Sequence, residues 1–214
     1  RDHSPEGQGS ESVKTFRSKI DATSTTVSRV ESLATSIAGR AANVKRLAIV
    51  GRPGVGKTHL FVDLFDRRTA EGLPTAFGFG QDFGEGRLSE QIGTITGLGD
   101  TSTDVLAALN AAGEASRCMS LLVIDALNES AFPERWADEL KVLTHQLGRY
   151  PHVALLVSCR TEFANEVLGE MTPRTELHGF DEKAGEAIRR FTRYYGLQTP
   201  SFPVLNPEFG NPLY

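Results

Sequence analysis

Eight consecutive residues constrain this chain more than anything else in it. Gly51-Arg52-Pro53-Gly54-Val55-Gly56-Lys57-Thr58 fit the pattern G-x-x-x-x-G-K-[ST] in full. The apolar run Leu47-Ala48-Ile49-Val50 leads in, and the helix-patterned Leu60-Phe61-Val62-Asp63-Leu64-Phe65 follows. The octet therefore sits where a strand hands over to a helix, the only context in which the motif has a mechanism. Glycines let the backbone curl into a nest of N–H donors around a phosphate, the helix N-terminus adds partial positive charge, and the lysine reaches the β- and γ-phosphates. Gly51, Arg52, Pro53, Gly54, Val55, Gly56, Lys57 and Thr58 are the expected nucleotide-binding set, with His59 next to them on the helix. Thr58 is expected to ligate Mg²⁺.

The rest of the chain reads as the body such a loop needs. Strand-like segments lie at Thr75-Ala76-Phe77-Gly78-Phe79, Leu121-Leu122-Val123-Ile124 and Val153-Ala154-Leu155-Leu156-Val157. Helical patterns alternate with them: Leu88 to Ile95; Val105, Leu106 and Leu109 after a Thr101-Ser102 cap; and Trp136, Leu140, Leu143 and Leu147 between Pro133 and Gly148. A last one runs along Ala184, Ile188, Phe191 and Tyr195, opened by Asp181 and closed by Gly196. Strands alternating with helices predict an α/β fold, a P-loop NTPase three-layer αβα sandwich with a mainly parallel sheet. Residues 1–15 are expected to form a flexible tail, 16–43 a helical segment spaced by Val27, Val30, Leu33 and Ile37, 44–180 the core, and 181–214 the start of a helical lid region. With no initiator Met and no closing element after Asn211-Pro212-Leu213-Tyr214, the chain reads as the middle of something longer.

A formal net charge of −4 leaves no electrostatic footprint for nucleic acid or a membrane surface. No apolar run is long enough to span a bilayer, the first residues lack a signal-peptide core, and a cytoplasmic protein is expected. Cys118 and Cys159 show no metal-ligand spacing and are expected to be reduced, buried thiols.

Asp125 closes the apolar strand Leu121 to Ile124, where a phosphate-loop enzyme needs a carboxylate to hold the water shell of Mg²⁺. Asp125-Ala126-Leu127-Asn128-Glu129 then matches, position by position, the second motif of the STAND-class NTPases, and the chain resembles that class. These are signalling switches that include NACHT proteins, immune receptors and bacterial antiviral ATPases. The resemblance implies that Glu129 orients or deprotonates the attacking water; a helix-capping role is the alternative. Asn128 stands where an acidic residue is common, and slow hydrolysis without activation is the expectation.

Ser158-Cys159-Arg160 follows the strand Val153 to Val157, and Arg160 resembles the family's sensor arginine. A guanidinium there can read the γ-phosphate's charge. Glu162 is the expected partner of Arg160, either fixing the sensor or forming a plain surface pair. The segment Pro207 to Tyr214 is similar to the entry into the family's small helical domain, which makes Pro212 the candidate near adenine, with a turn proline as the alternative.

The resemblance as a whole implies an ATP-binding and ATP-hydrolysing switch with ATP/ADP and Mg²⁺ as cofactors. It further implies fused effector and sensor domains outside these residues, a protein trigger, homo-oligomers on activation, and a role in antiviral defence. Two alternatives stand beside it. One is an AAA-type motor or loader, against which count the Ala126 after Asp125 and the acidic balance. The other is a nucleotide-holding scaffold that hydrolyses little.

Overall fold

Four aliphatics in a row, as in Leu121 to Ile124, suit a strand covered on both faces, and that is the sheet this chain builds. The computed structural model describes residues 24, 27–28, 31–99, 104–180 and 184–198, and the chain divides into two compact units, Arg1–Val44 and Lys45–Tyr214. In the first unit the described residues are helical, ending in α1 (Ile37–Val44), which buries no residue. Ser36 interrupts the helix there, its hydroxyl donating to Leu33 O and accepting from Gly39 N.

In the second unit, β1 (Arg46–Gly51), β2 (Thr75–Phe79), β3 (Ser120–Asp125), β4 (Val153–Arg160) and β5 (Arg174–Glu176) form one sheet in the order β2-β3-β4-β1-β5. Every neighbouring pair is parallel. The helices are α2 (Lys57–Ala70), α3 (Leu88–Ile95), α4 (Val105–Ala115), α5 (Trp136–Leu147), α6 (Ala164–Leu168) and α7 (Ala184–Tyr194).

Strand alternation assigns the two faces. Ala48, Val50, Leu122, Ile124, Leu155 and Val157 point to one, where they pack with α3, α4, α5 and α6 in a single core. Ile49, Val123 and Leu156 point to the other, against Phe61 of α2 with Leu64 partly buried. The expected three-layer α/β sandwich is therefore present. Arg68 ties the end of α2 to the start of two strands, donating to Thr75 Oγ1 at 2.8 Å and to Met119 O at 2.6 Å.

Several local expectations change. The observed cap of α4 is Asp104, whose Oδ1 accepts from Ala107 N at 3.0 Å; Thr101, Ser102 and Asp181 lie outside the described residues. Leu60, part of the helix-patterned run Leu60 to Phe65, is 40% exposed, because α2 meets the sheet through Phe61 and Leu64. β4 runs past Val157 to Arg160, since its pairing with β1 continues to Gly51 opposite Arg160. β5 was not anticipated: three polar residues, Arg174-Thr175-Glu176, carry no readable pattern, and the strand exists through pairing with β1, extended by Leu177 N donating to Val50 O at 2.8 Å. Pro133 does begin a 3-10 turn into α5, whose Trp136, Leu140, Leu143 and Leu147 are all buried.

Candidate functional site

Parallel strands end at a common edge, and β1, β4 and β3 are adjacent there, delivering Gly51, Arg160 and Asp125. Ligands of open α/β sheets bind beyond that edge. The phosphate-loop motif occupies it. Gly54 and Gly56 have φ of 79° and 92°, the left-handed region that a side chain disfavours, and they reverse the chain out of β1 into α2. Gly51 has no room for a Cβ, which would lie 2.7 Å from Leu177 O and 2.8 Å from Val55 Cγ2. Gly56 caps α2 without a side-chain hydrogen bond, so the first-turn N–H groups keep their capacity for an anion.

Lys57 lies folded over its own loop. Its Nζ donates to Gly51 O at 2.7 Å and Arg52 O at 2.9 Å, which uses two of the ammonium's three donors. Only 8% of the residue is exposed, and burial lowers its pKa below the usual 10.5 although the Asp125 charge pulls the other way. Thr58 and His59 are exposed beside it. Pro212 lies outside the described residues.

Asp125 ends β3 almost fully buried, with Oδ1 accepting from Ser158 Oγ and Oδ2 without a hydrogen-bond partner. An orphaned buried carboxylate oxygen is the donor chemistry a hydrated hard cation uses, and the hydroxyl of Thr58, next to Lys57 in the chain, is of the same class. These residues fit a Mg²⁺ that keeps most of its waters. Among the described residues no group of three or more His, Cys, Asp or Glu side chains is placed to hold a metal ion.

Beyond Asp125 the chain turns sharply. Ala126 takes φ 56°, ψ 52°, and Leu127–Glu129 form one 3-10 turn. Gly80, at the end of β2, makes this possible: a Cβ on it would lie 2.2 Å from Ala126 O. The turn swings Glu129 against β4, where its Oε1 accepts from Arg160 Nη2 at 2.7 Å. The expected partner of Arg160, Glu162, is exposed; the pairing goes to Glu129 because the 3-10 turn brings that carboxylate across. Asn128 accepts from Arg160 N at 2.9 Å, which fixes the turn to the last residue of β4.

The loop lysine, the strand-end carboxylate, the sensor candidate and the water-activating candidate thus share one edge. Sequence reasoning passed over Ser158. It lies two positions before Arg160 and so on the same face of the strand, but only the pairing of β3 with β4 sets a carboxylate beside it. Cys159 points to the opposite face, where burial pushes its thiol up to about 11 and leaves it unreactive.

Sheet, loop and covering helices are those of a P-loop NTPase domain. Among solved structures the chain is similar to the replication initiator DnaA bound to AMPPCP and single-stranded DNA, with a TM-score of 0.50 and 16% identity over 79% of this chain and 53% of that one. It is also similar to AMPPCP-bound DnaA from Aquifex aeolicus, with a TM-score of 0.47 and 16% identity over 72% of this chain and 47% of that one. Cdc6p from Pyrobaculum aerophilum gives a TM-score of 0.45 and 15% identity over 70% and 43%. At these identities the likeness concerns the fold, and the chain spans about half the length of the first structures it matches. No protein-family model and no curated protein matches the chain. Among the described residues no helix is long and apolar enough to cross a membrane.

Proposed function

We propose that this chain is the ATP-binding and ATP-hydrolysing switch module of a longer STAND-type signalling protein. The observation that carries the reading is the Glu129–Arg160 contact at the shared edge. It joins the last residue of the second motif to the sensor candidate on the strand beside the phosphate loop. Both side chains are about two-fifths exposed, so the pair is held by little, about 0–1 kcal/mol, and a bound γ-phosphate can outcompete it.

In this reading the backbone of Gly51 to Gly56 cradles the phosphates, and Lys57 exchanges its two loop carbonyls for phosphate oxygens. Thr58 and Asp125 would hold Mg²⁺, which when bound would supply positive charge against the phosphoryl oxygens. Arg160 turns from Glu129 to the γ-phosphate, and Glu129, released, takes a proton from the attacking water. The differential contacts to ATP and ADP then bias a two-state arrangement of neighbouring domains. His59 lies beside the phosphates, and Pro212 is the proposed neighbour of the adenine. Fused effector and sensor domains, a protein trigger, oligomerisation on activation, a cytoplasmic setting and antiviral defence belong to the same proposal, supported by the motif resemblance alone.

Calorimetry with ATP, ADP and GTP in Mg²⁺, followed by turnover, tests it. Adenine nucleotides are expected to bind in preference to GTP, with slow hydrolysis. A folded chain that binds none of them would end the reading, and binding without any turnover would favour the nucleotide-holding scaffold.

A second reading, an AAA-type loader acting on DNA, takes its support from the shape shared with DnaA, described as bound to AMPPCP and single-stranded DNA. The net charge of −4 weighs against it. Stimulation of turnover by single-stranded DNA would favour it over the switch.

A further inference from the structure

The two oxygens of the Asp125 carboxylate are treated differently by the fold. Oδ1 accepts from Ser158 Oγ, whereas Oδ2 is buried and meets no partner. Ser158 is itself 0% exposed, and its oxygen also accepts from Ala126 N at 2.8 Å. A hydroxyl has a single proton to give. With Ala126 N–H occupying a lone pair, that proton is directed to Asp125, and the direction of the bond is set by the backbone rather than by a free rotor. Ala126 is in turn held from the far side by Gly80, whose missing side chain admits Ala126 O. The strand end is therefore clamped from β2 and from β4 at once.

Register puts this clamp where it matters. Ile124 lies opposite Val157, so Asp125 and Ser158 are the next residues on their strands and point to the face that carries α2 and Lys57. A ligand-holding carboxylate commonly depends on a neighbour that fixes its orientation.

We propose that Ser158 is a positioning residue for the divalent cation: it ties down Oδ1 of Asp125, so that Oδ2 remains as the oxygen that accepts from metal-bound water. The proposal rests on the reading of Asp125 given above and adds a residue on a different strand that sets the metal affinity. Ser158 touches neither nucleotide nor metal in this scheme and acts only through Asp125.

The test measures a fluorescent, non-hydrolysable ATP analogue binding to the 214-residue chain, first in EDTA and then across a Mg²⁺ titration. Ser158→Ala is expected to raise the Mg²⁺ concentration for half-maximal enhancement by about tenfold or more. Ser158→Cys, close in size and a weaker donor, is expected to fall between wild type and Ala and guards against a folding defect in the alanine variant. Binding in EDTA is expected to stay near the wild-type value for both. On an Asp125→Asn background, Ser158→Ala is expected to shift the Mg²⁺ midpoint no further, since the two act as one unit.

Unchanged Mg²⁺ midpoints in both variants, beside a wild type that responds to Mg²⁺, would overturn the role of Ser158 and leave the site reading standing. An equal loss with and without Mg²⁺ would likewise overturn it, assigning Ser158 to folding. A wild-type chain whose nucleotide binding ignores Mg²⁺ would bring down the reading of Asp125 and this proposal together.

Discussion

The phosphate loop and the carboxylate edge lie on neighbouring strands, yet they are built in opposite ways. The loop is made by local sequence: Gly54 and Gly56 supply the positive φ angles, and Lys57 hydrogen-bonds carbonyls five and six residues back. The carboxylate edge is made by distant residues. Ser158 reaches Asp125 across 33 positions, Asn128 accepts from Arg160 across 32, and Glu129 meets Arg160 across 31. A loop of the first kind forms as soon as its strand and helix do. An edge of the second kind exists only when β3 and β4 are paired in register, so it is the half that other parts of the molecule can disturb.

The largest effect is expected from breaking the local half. Lys57→Ala removes an ammonium that can give phosphate oxygens charge-assisted hydrogen bonds of about 1.5–3 kcal/mol each. Nucleotide affinity should fall on the order of 10³-fold, and fluorescent ATP titration measures it. Unchanged affinity in a folded variant would mean that the loop is not the nucleotide site.

Breaking the distant half should spare binding and damage turnover. Glu129→Gln keeps a hydrogen-bond acceptor for Arg160 but loses the base, so hydrolysis should slow by about 10²-fold or more while ATP affinity holds. Turnover at the parent rate would make Glu129 a turn residue. Arg160→Ala sharpens the comparison further, because its guanidinium is expected to meet the γ-phosphate that ADP lacks. Losing about 1.5–3 kcal/mol from ATP alone would move the ATP:ADP affinity ratio by roughly tenfold or more, read by calorimetry on both nucleotides. Equal losses for the two nucleotides would remove the reporter from the switch.

The smallest effect comes from the β2 side. Gly80→Ala pushes a methyl toward Ala126 O, and the edge must shift to admit it, at about 1–3 kcal/mol of stability. Thermal unfolding should show the loss, and metal-free nucleotide binding should stand. If binding falls as far as stability, the two halves are one mechanical unit.

Much of this was legible in the chain itself. The octet from Gly51 to Thr58 specifies its own conformation, because glycine freedom and the strand-to-helix handover are properties of adjacent residues. Aliphatic runs announced β3 and β4, and with the run before the loop β1, since a strand covered on both faces suits them; β2 was read from the strand-like Thr75 to Phe79. Asp125 could be placed by its position at the end of such a run. The partner of Arg160 could not. Glu162 is two residues away in sequence and Glu129 is 31, and the choice fell to Glu129 because strand pairing and the turn after Asp125 bring it across. β5 and the Ser158 clamp belong to the same category. A three-residue strand carries no periodicity, and a serine in an apolar strand has no meaning until register sets a carboxylate beside it. Sequence by itself determined the groups that act through their neighbours along the chain; tertiary structure decided those that act across strands, because a hydrogen bond between residues thirty apart has no local signature.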